Sequence, residues 1–247
     1  MLYNYKMVIQ YEGGRYQGWQ RQESTDNTIQ GKLENIFSRM CGYPTQVDGS
    51  GRTDAGVHAV GQTANVRFRE QYAPQEILDY ANRYLPEDIR IASCIEVPER
   101  FHSRLHVVRK TYCYRVHVGR VADVFTRRYV YHLPEQLDLP KMRRAATELV
   151  GEHDFRASTS AKKGKKSTVR RVESITIEQV GEEIRFTYIG NGFLYHMVRI
   201  LTGTLIEVGQ GMRTPESVAE VLASGDRALA GYLVPPQGLC LMNVEYL

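Results

Sequence analysis

The sequence predicts an α+β chain whose strands pair mainly antiparallel and whose helices pack on one sheet face. Three observations predict it: segments of alternating apolar residues, segments with apolar residues at helical spacing, and the mixture of both in each half of a 247-residue chain. That length exceeds an ordinary domain of ~100–150 residues, so one large or two modest domains are expected. The boundary is expected between residues 119 and 140, giving halves of 1–130 and 131–247.

Residues 3–11 alternate like a strand, and Asn27 or Thr28 starts a helix with Ile29, Leu33, Ile36, Phe37 and Met40 at helical spacing. The stretch 48–56 (DGSGRTDAG) reads as a loop, and the strand after it carries Ala64, Val66 and Phe68 on one face. Pro74 opens a second helix with Ile77, Leu78, Ala81 and Leu85, and strands follow at 89–97 and 107–118. Beyond the boundary the pattern gives a helix near 140–150 and a basic loop at 159–169. Strands at 172–180 and 183–189 are separated by Gly181 and Glu182, a hairpin-length gap. A long apolar helix pattern then carries Leu194, Met197, Val198, Leu201, Leu205 and Val208. Pro215 opens another helix, and 239–246 closes the chain as a strand.

The apolar fraction of 42% and charged fraction of 24% are those of a soluble globular protein and exclude disorder and collagen. The net charge of +4 is too small for a polybasic coat, so an anionic partner must meet a local patch. Two segments qualify. From Arg100 to Arg128 there are eight Lys/Arg against one acid, and Lys162 to Arg171 (KKGKKSTVRR) has six bases and no acid. Residues 172–247 offset them with nine acids against four bases. The four cysteines stand singly, so neither disulfides nor a zinc site is expected. The opening MLYNYKMVIQYEGG has no cationic leader or apolar export segment, and Phe186 to Ile206 is broken by Asn191, His196 and Arg199. A cytoplasmic protein without a membrane span is the expectation.

Three features bear on chemistry. GSGRTDAGVHA (49–59) places Arg52, Asp54 and His58 in a glycine-rich loop where backbone can approach a ligand. It lacks the Gly-Lys-Ser/Thr of a phosphate-binding loop, and an Asp capping a turn is the bland alternative to a catalytic carboxylate. Arg199 is the only charged residue between Arg185 and Glu207. Buried, it requires a carboxylate or an anionic ligand from elsewhere in the fold; half-buried, it reaches solvent. In KTYCYR (110–115), Tyr112 and Tyr114 share a strand face with Arg109, Lys110 and Arg115 nearby. Rings among cations suit base stacking and phosphate contact, although core packing is the ordinary use of alternating tyrosines, Tyr114 above all.

Six segments in order, YEGGRYQGWQRQ, SGRTDAGVHA, FHSR (101–104), KTYCYR, GNGFLYHMVRILTGTLIEVGQG and PPQGLCLMNVEY, resemble the tRNA pseudouridine synthase A family over nearly the whole chain. Ser103 stands where the family usually has Ala, and Val234 where it often has Ala; neither is expected to touch a residue assigned chemistry. The resemblance implies two RNA-recognition-like (ferredoxin-like) halves meeting at a central catalytic cleft. It implies Asp54 as catalytic carboxylate, Arg199 as its ion-pair partner, Tyr112 against the target base and Arg52 holding the extruded nucleotide. It further implies isomerisation of uridine to pseudouridine at positions 38, 39 and 40 of the tRNA anticodon stem-loop by a homodimer. No cofactor and no metal are implied, because reactant and product share one formula. Under this reading Lys162, Lys163, Lys165 and Lys166, together with the Arg100 to Arg128 stretch, are the expected phosphate-binding surfaces. Alternatives are a paralogue modifying another RNA and a non-catalytic RNA-binding protein of the same fold.

Overall fold

A computed structural model describes residues 2–162 and 167–247 and shows two compact units. One holds the residues up to Val108 together with Cys240–Leu247, and the other holds Arg109–Leu239. The division lies ahead of the sequence-based boundary near residue 130, inside a strand, where no turn residues mark it.

In the first unit β1 (Tyr3–Tyr11), α1 (Ile29–Cys41), β2 (Val47–Gly49), β3 (His58–Phe68), α2 (Pro74–Tyr84) and β4 (Ile89–Val97) follow one another as βαββαβ. The sheet order is β4-β1-β3-β2 with antiparallel neighbours, the ferredoxin-like arrangement. Alternation aims Tyr5, Met7, Ile9 and Tyr11 to one side, opposite Val66, Ala64, Gln62 and Ala59 of β3. On that face the Tyr5 and Phe37 rings each lie 5.8 Å from Phe68. The Thr28 side chain caps α1 by accepting the Gly31 amide at 3.1 Å, and Gly42 ends the helix with φ +79°.

β3 is buried on both faces, although its sequence reads as one-sided. Its second face is polar, and the FHSR segment is tied to it. Asn4 Nδ2 donates to the Phe101 carbonyl at 2.9 Å, Asn65 Oδ1 accepts from the Ser103 amide at 2.8 Å, and Arg67 donates to the Phe101 carbonyl. Ser103 is fully buried, and its hydroxyl donates to the Asp48 carbonyl. The closing strand (Leu239–Tyr246) runs parallel to the start of β3, pairing Cys240 with His58 and Leu241 with Ala59. Gly61 permits this approach, because a Cβ there would lie 2.2 Å from the Met242 carbonyl oxygen.

The second unit orders β5 (Val107–His117), β9 (Glu183–Gly190), β8 (Val169–Val180) and β7 (Gly151–Asp154) as one antiparallel run. β6 (Tyr131–His132) lies parallel on β5. The β8–β9 hairpin turns at Gly181, whose φ of +61° suits the first central position of a two-residue loop. α3 (Leu139–Thr147) and α4 (Met197–Gly209) pack together, with Gly209 against Met142, and α5 (Ser217–Ser224) follows. α4 starts at Met197 rather than Leu194, because the Met197 amide turns back onto the Leu194 carbonyl and His196 takes φ +65°. Among the described residues no helix is long and apolar enough to cross a membrane.

α4 is buried nearly all round, and its adjacent Gly203 and Thr204 meet backbone. The Thr204 hydroxyl accepts the Gly231 amide at 2.9 Å, while a Cβ on Gly203 would stand 1.9 Å from the Tyr232 carbonyl oxygen. Backbone cannot move aside as a side-chain tip can, so Gly203→Ala should destabilise the protein by about 1–3 kcal/mol. Urea denaturation should show this as a lower midpoint at unchanged slope, and an unchanged midpoint would refute the close approach.

Candidate active-site residues

In the first unit, Asp54 sits on the turn Asp54–Val57, closed by the Val57 amide donating to the Asp54 carbonyl at 3.2 Å. Gly56, third in that turn, has φ +80°, the left-handed value a type II turn requires. The glycine therefore sets the reversal that presents the half-buried Asp54.

The residue before it is held from two sides. The Trp19 amide donates to the Thr53 carbonyl at 3.0 Å, and the Tyr11 hydroxyl lies 2.8 Å from Thr53 Oγ1. Gly18, at φ +88°, brings the Gly18–Trp19 backbone onto Thr53, and the Trp19 indole covers Gly49. Upstream, Gln62 accepts from the Ser50 hydroxyl at 2.6 Å and donates to the Gly51 carbonyl at 3.0 Å. Downstream, His58 Nδ1 accepts the Gly13 amide at 3.0 Å, which assigns the ring proton to Nε2. The segment opposite the loop is itself anchored, since Arg15 Nη2 and the Tyr16 hydroxyl reach Asp88 at 2.6 and 2.5 Å. Burial first, then the Asp88 carboxylate, pushes the Tyr16 phenol well up, so it remains a donor.

Arg52 is exposed on this loop, and its Nε donates to Gln20 Oε1 at 2.9 Å. Asp54 and Arg52 thus share one short loop of the first unit, whereas Tyr112, Arg199 and Lys162 belong to the second. Lys163, Lys165 and Lys166 lie outside the described residues; Lys162 is exposed.

In the second unit Arg199 is only 7% exposed, on the first turn of α4. Burial rather than reach to solvent is therefore its environment. Its Nε donates to the Val234 carbonyl at 2.8 Å. Val234, a departure from the family pattern, thus contacts a residue assigned chemistry after all, through backbone that any residue supplies. Tyr114 stands nearby with its hydroxyl donating to the Pro235 carbonyl at 2.8 Å. Burial pushes its phenol strongly up despite the opposing charge of Arg199, so Tyr114 is a core ring. Tyr112 is buried opposite Tyr188 on β9, and its ring meets Phe193 edge-on at 5.3 Å between centroids.

The basic stretch from Arg100 is less available than its charge count. Arg109 Nε pairs with Glu173 at 2.7 Å, and Arg115 grips Glu183 through two bonds of 2.9 and 2.6 Å. Arg100, Arg104, Arg120, Arg127 and Arg128 remain exposed. Arg170, by contrast, donates to the Ser167 and Val169 carbonyls at 3.1 and 2.6 Å, and burial lowers its pKa. All four cysteines are free, and burial pushes the Cys94 thiol up to about 12, far from a reactive thiolate.

Sequence reasoning missed the residues that hold the Asp54 loop: Tyr11, Gly18, Trp19, Gln20 and Gln62. The available signal was the chain's single tryptophan within a Gly-Trp-Gln run.

A ferredoxin-like unit whose glycine-rich turn presents an acid, in a chain with a buried arginine on an apolar helix, fits an RNA-modifying enzyme class. The chain belongs to the tRNA pseudouridine synthase family, whose model matches residues 7–105 and 145–247. The matched stretches contain Asp54, Arg52, Arg199 and the lysine segment, and Tyr112 falls between them. The chain is 46% identical over 243 residues to tRNA pseudouridine synthase A of Bacillus sp. (strain KSM-64), covering 98% of this chain and 99% of that protein. It is 43% identical to tRNA pseudouridine synthase A 2 of Bacillus anthracis and 42% to tRNA pseudouridine synthase A 1 of Clostridium tetani, with the same coverage. A chain in the crystal structure of a Cbf5-Nop10-Gar1 complex matches with a TM-score of 0.39 at 11% identity, over 86% of this chain. The present chain spans 44% of that one.

Trp19 reports directly on the loop. A Cβ on Gly49 would lie 2.5 Å from the indole, a rigid ring 2% exposed. Gly49→Ala should therefore displace Trp19 and shift its fluorescence to longer wavelength, with a stability loss of about 1–3 kcal/mol. Unshifted emission would show that the indole does not rest on Gly49.

Proposed function

We propose that this chain isomerises uridine to pseudouridine in tRNA, acting as a homodimer on the anticodon stem-loop at positions 38, 39 and 40. The observation that carries the reading is the match to tRNA pseudouridine synthases along both stretches that hold Asp54 and Arg199. In the first unit, the clamped turn suits the precise placement of one carboxylate.

The reaction breaks the bond from C1′ to N1, rotates the freed uracil and joins C1′ to C5. Electrons and atoms are conserved, so the steps are substitution and proton transfer. Asp54 has two roles consistent with this: attack on C1′, giving a covalent intermediate, or removal of a ribose proton, giving a glycal. Arg199 is assigned as the cation that partners this carboxylate. Arg52, exposed on the same loop, is assigned to the extruded nucleotide, whose flipping costs a few kcal/mol offset by stacking and phosphate contact. Tyr112, or a water it orients, takes the role of relay for the C5 proton that must leave. Lys162, Lys163, Lys165 and Lys166 are assigned to phosphates, as point charges.

With tRNA carrying tritium at C5 of uridines 38, 39 and 40, the protein should release the label, and Asp54→Asn should abolish release while leaving RNA binding within about twofold. Release by Asp54→Asn at the normal rate would remove Asp54 from the chemistry, and no release by the unaltered protein would sink the function. Replacing the four lysines by alanine should raise KM and reduce the slope of log affinity against log salt by roughly 3, at ~0.7–0.9 per phosphate contact. An unchanged slope would take this segment out of the interface.

A further inference from the structure

Arg52 is the cation of the Asp54 loop, and among the described residues no carboxylate pairs with it. Its partner is neutral: Nε donates to Gln20 Oε1 at 2.9 Å. Gln20 is itself held, because its Nε2 donates to Gln30 Oε1 at 2.8 Å. Gln30 is buried on α1 and donates through Nε2 to Glu34 Oε1 at 3.0 Å and to the Val47 carbonyl at 3.1 Å. Glu34, also buried, accepts in addition the Val47 amide at 3.1 Å and Arg21 Nη1 at 3.1 Å.

This chain of groups has one possible polarity. A carboxylate and a carbonyl only accept, so Gln30 must turn its NH2 toward Glu34 and Val47, and its oxygen faces outward. There it accepts from Gln20 Nε2 and from the Arg21 amide at 3.0 Å. Gln20 must then give its NH2 to Gln30, leaving its own oxygen as the acceptor. A guanidinium only donates, so the group that fits this oxygen is the Arg52 side chain. The orientation of each amide is dictated by its neighbour, starting from a buried charge.

We propose that Gln20 is a positioning residue for Arg52, oriented by Gln30 and Glu34. Held by Nε, the guanidinium keeps its Nη edge for an anionic or base-edge ligand. Because the fixing atom is a neutral amide oxygen, the positive charge stays uncompensated, whereas a carboxylate in its place would neutralise it. The inference rests on the reading that Arg52 binds the nucleotide to be isomerised.

The test is a cycle of Gln20→Ala, Arg52→Ala and the double substitution, measured as tritium release from tRNA, together with the Arg52 Nε–H signal by NMR. Gln20 is half-buried at the surface, and thermal melts establish that each variant is folded. Gln20→Ala should lower kcat/KM by about tenfold, the scale of one hydrogen bond to a charged group. Adding it to Arg52→Ala should cause no further loss. A side chain that merely supports the fold would instead multiply the two losses, and that result, or full activity of Gln20→Ala, would overturn the proposal. The Nε–H signal should be sharp and slow to exchange in the unaltered protein and lost to exchange in Gln20→Ala. This readout needs no turnover: absence of tritium release with the signal behaving as stated would overturn the enzymatic reading alone, and a signal indifferent to Gln20 would overturn the positioning role.

Discussion

The hydrogen bond from the Trp19 amide to the Thr53 carbonyl is the constraint around which the Asp54 loop is organised. A loop beyond a three-residue strand has few ladder bonds of its own, so its shape must come from outside. The outside here is the segment after β1, which has no regular structure either. Each irregular segment satisfies the other: Thr53 meets Trp19, and His58 accepts from Gly13. Glycine is required where the two backbones approach most closely. A Cβ on Gly13 would lie 2.0 Å from the Val57 carbonyl oxygen, and Gly18 needs its left-handed φ to turn onto Thr53. The glycines of the opening motif therefore shape a loop some forty residues later in the chain.

The second unit solves a different problem, that of burying a cation in an apolar helix. α4 can pack all round because its small residues accept backbone at van der Waals distance, and its hydroxyls bond within the interior. Thr202 returns to the Val198 carbonyl while meeting the Tyr188 hydroxyl at 2.8 Å. Arg199 is the expensive residue in this setting, since an ionised side chain taken from water costs several kcal/mol unless its donors are met. The Val234 carbonyl meets one of them. The sequence left burial and reach to solvent both open for this residue, and the fold takes the buried alternative.

Much of the fold was legible because it rests on local rules. Thr28 and Gly42 bracket α1 as caps, Gly181 marks the hairpin, and alternation located β1, β3 and β5. β2 escaped because Asp48 and Gly49 are poor strand residues that pairing with Asn65 and Ala64 overrides. The polar burial of Gln62 and Asn65 escaped because apolar periodicity does not register side chains buried by hydrogen bonding. The Asp54 loop and the apolar-flanked Arg199 each stood out in the sequence on composition. The residues that hold Arg52 did not, since Gln20, Gln30 and Glu34 are individually ordinary and acquire meaning only when α1 brings them into one chain of bonds. Charge counting failed in a related way. Arg109 and Arg115 read as part of a basic stretch, yet their carboxylates arrive from β8 and β9, 64 and 68 residues further on.

Those pairings suggest how to sort the basic residues of such a chain. A guanidinium gripped bidentately by a carboxylate has its charge cancelled and its donors engaged, as at Arg115 with Glu183, and it contributes to the sheet rather than to attraction of a polyanion. A guanidinium anchored by neutral oxygens is fixed in place with its charge intact. Arg52, on the Gln20 amide, is of this second kind, as are Arg90, Arg143, Arg170 and Arg227 on backbone carbonyls. Exposed lysines such as Lys162 differ again: they are charged and mobile in their side chains, suited to long-range attraction rather than to fixed geometry. A surface that must first attract a polyanion and then seat one nucleotide needs both kinds. The anchoring atom, more than the local count of basic residues, decides whether a cation's charge is cancelled within the fold or left available.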